Sequence, residues 1–168
     1  MKILLALLFF STSLLSQNDS VYIKKSVDEM EDRNYFFPSR ELVLNTKDKR
    51  KGVIISAFID EEDDGVAIYE LSAKMYNIGT CVENNELIFM FQDSSKITLI
   101  SWNEWNCDGN AWFKLLSTDI QKLSTSRIIK MQIKNGYTFE RFTSSIPKQD
   151  YFIQLFYAVR TKKIKRVK

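Results

Sequence analysis

Apolar side chains recur at every second position of this chain, in short runs that turn residues interrupt roughly every 8 to 15 positions. An extended strand points successive side chains to opposite faces, so this alternation buries one face and wets the other. Nine segments carry the pattern: 21–25, 41–45, 52–59, 66–76, 86–92, 96–102, 111–116, 127–133 and 137–142. Many short strands without intervening helices predict a mostly β, antiparallel domain, a sandwich or a partly closed barrel of about 8 to 9 strands. Pro38 and Pro147 fall between these segments, where a missing N–H costs no ladder bond. Asp119 to Leu123 read as one helical turn.

Two hairpins can be read in register. Centring the first turn on Ser94 opposes Phe91 to Ile97, Phe89 to Leu99 and Leu87 to Ser101. Its other face carries Ile88, Met90, Thr98 and Ile100, which predicts a central hairpin covered on both sides. In the second, a three-residue loop of Lys134, Asn135 and Gly136 puts glycine at the left-handed position and aligns Ile133 with Tyr137 and Met131 with Phe139. After it, Phe152, Leu155, Phe156 and Val159 form one stripe at helical spacing, with Ser145 and Pro147 as start signals. A strand also fits, because Tyr151, Ile153, Leu155, Tyr157 and Val159 alternate; the helix is preferred.

The start of the chain has a different character. Lys2 is followed by eight residues without a polar side chain, Ile3 to Phe10, and then by Ser11, Thr12, Ser13 and Ser16. A basic start, a short apolar core and a small-residue exit make a secretory signal, expected to span 1–16 and to be cut near Ser16/Gln17, with Ser13/Leu14 as the alternative. The apolar stretch is too short for the roughly 20 residues that a membrane-crossing helix needs. The reading is therefore a secreted or periplasmic protein: a single β-rich domain over 17–159, including a C-terminal helix, and a basic tail over 160–168.

Arg160, Lys162, Lys163, Lys165, Arg166 and Lys168 make that tail basic. Setting these six and Lys2 apart from the 24 basic residues leaves 17 against 21 acidic ones, so the body is mildly acidic. The tail suits peripheral contact with an anionic membrane surface. Nucleic acid is not an expected partner of an exported chain.

Cys81 and Cys107 are the two cysteines of the sequence, and outside the reducing cytosol they are expected to pair. Each stands 13 residues from Ser94, so the first hairpin, continued in register, sets them face to face. Two thiols in a chain without histidine leave zinc short of its usual ligands, and no cofactor is implied.

The absence of histidine also removes the Ser–His and Cys–His nucleophile schemes. Glu83, Glu86, Glu104 and Asp108, near the open end of the first hairpin, could supply paired carboxylates to a hydrolase of an envelope or extracellular polymer. Asp60, Glu62 and Asp64, with Gly65 next, match the start of a calcium loop, but Leu71 stands where the loop needs a bidentate glutamate. A solvated acidic turn explains the same residues.

The most distinctive stretch is 102–112, where Trp102, Trp105 and Trp112 alternate with Asn103, Asn106 and Asp108. Exposed rings can stack on sugar faces while amides and acids take the hydroxyls. Rings covering the sheet, and asparagines making turns, would be the structural reading. The expected function is that of a non-catalytic binding module whose partner is a glycan or an envelope protein. The alternatives are the hydrolase and a structural protein held at the envelope.

Overall fold

The computed structural model describes residues 21–28, 30, 33–61, 67–79 and 81–161. The expected signal at 1–16, Glu62 and Asp64 of the acidic turn, and the tail beyond Thr161 lie outside the described residues. Among the described residues, ten strands and two helices follow one another: β1 (Ile23–Asp28), β2 (Arg33–Pro38), β3 (Leu42–Asn45), β4 (Gly52–Glu61), β5 (Ala67–Tyr76), β6 (Glu86–Phe91), β7 (Lys96–Ile100), β8 (Asn110–Lys114), α1 (Ser117–Thr125), β9 (Ile128–Lys134), β10 (Arg141–Ser145) and α2 (Tyr151–Arg160).

They form two antiparallel sheets in a sandwich-like arrangement, and the described strands close no barrel. The larger has the order β1-β2-β4-β5-β8, and β3 shares one flank of β4 with β2; the smaller has the order β10-β9-β6-β7. Alternation sets the inner faces. Val53, Ile55, Ala57 and Ile59 of β4, Leu71, Ala73 and Met75 of β5, and Ala111 and Phe113 of β8 point inward from the large sheet. Leu87, Phe89, Phe91, Leu99, Met131, Ile133 and Phe142 do so from the small one. The C-terminal segment is a helix, and it enters this core. Phe152 meets Phe89 at 5.3 Å and Phe156 meets Tyr69 at 6.3 Å, so α2 touches both sheets. Burying Phe152 and Leu155 stabilises the fold by about 1.5–3 kcal/mol each. No helix among the described residues is long and apolar enough to cross a membrane.

Several expectations need correction. Strand β2 carries no clean alternation and goes unread in the sequence; Pro38 is its last residue, paired with Ile23, rather than part of a connection. The β6–β7 turn centres on Asp93, not Ser94: Phe89 opposes Ile97 and Leu87 opposes Leu99. Ser94 takes the left-handed position (φ 64°), and Asp93 accepts the Ser95 N–H at 3.0 Å, which fixes the loop. β7 is an edge strand, and Ile100 on its outer face is 56 % exposed, so this hairpin is not covered on both sides. α1 has nine residues rather than one turn.

The β9–β10 connection is also longer than a three-residue loop. Ile133 pairs with Phe142, and the chain turns through 136–139. Phe139, not Gly136, holds the left-handed conformation (φ 59°). Gly136 is needed for space, since a Cβ there would run into the carbonyls of Glu83 and Asn84.

The disulfide between Cys81 and Cys107 is present, with Cα atoms 4.0 Å apart. The geometric premise for it changes. β7 stops at Ile100, and a separate bridge, Val82 to Asn106, sets the two cysteines side by side.

Candidate functional site

The outward positions of the large sheet are set by the same alternation that builds its core. Phe58 of β4, Glu70 of β5 and Lys114 of β8 stand in one row across the strands, and Ser56, Ser72 and Trp112 stand in the next. Serine is small, so the Trp112 ring reaches across β5 to Phe58, with centroids 4.9 Å apart and planes tilted by 51°.

Trp102 joins this face from outside the sheet. Its backbone N–H donates to the Trp112 carbonyl at 3.0 Å, and the Asn103 side-chain oxygen accepts the Trp112 N–H at 2.8 Å. Residues 102–103 thereby cover the free edge of β8, which would otherwise offer unpaired ladder groups. Lys114 Nζ lies 5.3 Å from the centre of the Trp102 ring, a cation–π contact.

Glu70 is the electrostatic centre of this patch. Burial raises its pKa above the ordinary 4.5; Lys114 opposes that shift and Asp60 adds to it. Asp60 lies on the same outer face of β4, pairs with Arg33 at 3.4 Å and keeps its Oδ1 buried without a hydrogen-bond partner. It is a strand residue held by an arginine. The other two members of the acidic turn, Glu62 and Asp64, are outside the described residues. Among the described residues, no group of three His, Cys, Asp or Glu side chains is placed to hold a metal ion.

The structure divides the tryptophan-rich stretch. Trp102 and Trp112 belong to the sheet face, whereas Trp105 stands at the disulfide end, edge-on to Tyr137 at 6.4 Å. Asn103 and Asn106 face their own loop: both donate to the carbonyls of Glu104 and Asn110, and Asn106 accepts the Asp108 N–H. Asp108 is exposed. Of the four carboxylates expected near the hairpin, Glu86 is bound to Lys134 at 2.7 Å.

Two buried asparagines hold the disulfide end together. Asn135 donates to the carbonyls of Ile78 (2.9 Å) and Cys81 (2.7 Å) and accepts from the N–H groups of Tyr137 and Thr138. Asn85 accepts the Ser101 N–H on its carbonyl and the Gly136 N–H on its side chain. At the other end, a depression of about 500 Å³ is lined by Gln92, Asp93, Thr125, Ser126, Arg127 and Ile153, with Asp93 tied to Lys122 at 2.7 Å.

Phe58, Glu70 and Lys114 were not legible as site residues in the sequence. The available signal was Phe58 itself, an aromatic residue at an outward position of a strand whose inward positions are already all apolar. Neither a known family model, nor a curated protein, nor a solved structure matches this chain.

Proposed function

We propose that this domain is a non-catalytic binding module of the cell exterior or periplasm, and that its ligand is a glycan held on the outer face of the large sheet. The observation behind this reading is the aromatic strip of Phe58, Trp112 and Trp102 around the Glu70–Lys114 pair. Rings on an open face stack on the C–H faces of sugars, and a carboxylate beside them accepts sugar hydroxyls. A disulfide suits an oxidising compartment, which supports the placement.

Tryptophan fluorescence of the domain, titrated with a glycan panel, tests the reading. A bound glycan should protect an indole from acrylamide. Trp102→Ala should weaken binding about tenfold, the scale of one lost ring contact, while Trp105→Ala leaves it unchanged. If no glycan changes emission or quenching, the reading fails.

A second reading, a hydrolase, draws on Glu70 and Asp60, which share this face closely enough for Asp60 to raise the Glu70 pKa. It requires turnover of a bound glycan that Glu70→Gln abolishes without loss of binding.

A further inference from the structure

The small sheet has an outer face of its own, with a chemistry unlike that of the aromatic face. We infer that it is a docking surface for an anionic phospholipid membrane. Register places its side chains. Lys134 of β9 stands between Glu86 of β6 and Arg141 of β10, and Lys130 of β9 stands across Met90 of β6 from Lys96 of β7. Glu86 is the one carboxylate at these outward strand positions, and Lys134 is closed on it at 2.7 Å. Among the described residues, no carboxylate is paired with Lys96, Lys130 or Arg141, and all three are exposed. Glu140, next to Arg141 in the chain, is held by Lys51 at 3.0 Å. Glu104 and Asp108 belong to the disulfide loop rather than to these strands.

Folding alone does not account for this arrangement. Lysine and arginine on edge strands keep sheets from pairing with one another, which explains Lys96 on β7 and Arg141 on β10. It does not explain Lys130 and Lys134, because β9 is an inner strand. Like charges gathered on one face repel, and an anionic partner relieves that repulsion. Apolar side chains on the same face favour a lipid surface over a soluble polyanion. Ile100 ends the row of Glu86, Lys134 and Arg141 and is exposed, while Ile88 and Met90 are half-buried between the cations. Phe139 is 71 % exposed, and Lys134 Nζ lies 5.8 Å from its ring centre. Its φ of 59° is costly for a bulky residue, and no core contact repays that cost at an exposed ring. A bilayer interface takes both kinds of group, cations among its phosphates and apolar side chains at the acyl boundary.

Co-sedimentation of the mature chain, basic tail included, with vesicles of phosphatidylcholine and increasing phosphatidylglycerol tests the inference. Binding should rise with the anionic fraction and fall with salt. Each cation near such a surface is worth about fivefold, so the triple variant Lys96→Gln, Lys130→Gln, Arg141→Gln should lose about a hundredfold. Lys130→Glu alone, a change of two charges, should lose about twenty-five-fold and serves if the triple variant does not fold. Ile100→Ser should weaken binding to vesicles and leave any binding to dextran sulfate as it was. Variants that bind vesicles as the parent does would place the attraction in the tail and overturn the inference. So would tighter binding to dextran sulfate than to vesicles with no effect of Ile100→Ser, which would mark a site for a soluble polyanion. Absence of binding to anionic vesicles would overturn it outright. None of these residues belongs to the aromatic face, so the glycan reading stands or falls separately.

Discussion

Trp102 and Trp105 are near neighbours in the sequence and almost equally exposed, at 54 % and 52 %, yet they belong to different parts of the molecule. Trp102 is held by a strand-like bond to Trp112, and its ring lies against the Lys114 ammonium of β8, so it belongs to the sheet. Trp105 stands on a loop anchored through the Cys81–Cys107 disulfide and packs on Tyr137, which the buried Asn135 positions. Equal exposure does not make an equal site. A ring tied to sheet backbone has little conformational entropy left to lose on binding; a ring on a loop depends on whatever anchors the loop.

That contrast can be broken from the loop side. Asn135→Ala leaves two carbonyls and two N–H groups of the disulfide end without their partner and should cost about 4 kcal/mol in urea unfolding. A loss below about 1 kcal/mol would mean that the asparagine does not organise this end.

Replacing Cys81 and Cys107 together by serine should cost about 3 kcal/mol, because the unfolded chain regains the freedom of the closed loop. In the folded variant, acrylamide quenching should rise for Trp105 and stay constant for Trp102 and Trp112, which comparison with a Trp105→Phe background would resolve. Equal change at all three rings would erase the distinction between face and tip.

The smallest effect sharpens the comparison from the sheet side. The folded-state pKa of Glu70 is raised above 4.5, so folding favours its protonated form. The stability that Glu70 contributes is therefore full at low pH and is lost as pH rises through its folded pKa. Glu70→Gln, always neutral, should gain on the parent in thermal melts between about pH 4 and pH 7. A gap that does not change with pH would show that burial does not act on this carboxylate.

Much of the fold was legible because burial dictates it locally. The alternation in β4 and β5 names the inward residues without reference to any partner strand, and the stripe of α2 does the same for Phe152, Leu155 and Phe156. Strand β2 was not legible, since its first five residues are all half-buried and its sequence gives no period to detect. The first hairpin was misread by two residues, a slip that leaves every side chain on its own face and so cannot be seen in the pattern. The second was misread because the Asn135 side chain, not the backbone of a tight turn, organises the loop.

From the sequence alone, spacing along the chain pointed to the inward residues of β4 and β5, made a helix the preferred reading of the end segment and made pairing of the two cysteines the expectation. Only the tertiary structure decided that β8 lies beside β5 and that residues 102–103 run along its edge. Those two contacts are long-range, and they bring Phe58, Glu70, Lys114, Trp112 and Trp102 onto one face while leaving Trp105 at the disulfide end. A side chain's parity within a strand is a local property; its neighbours across the sheet depend on strand order, which no local period encodes.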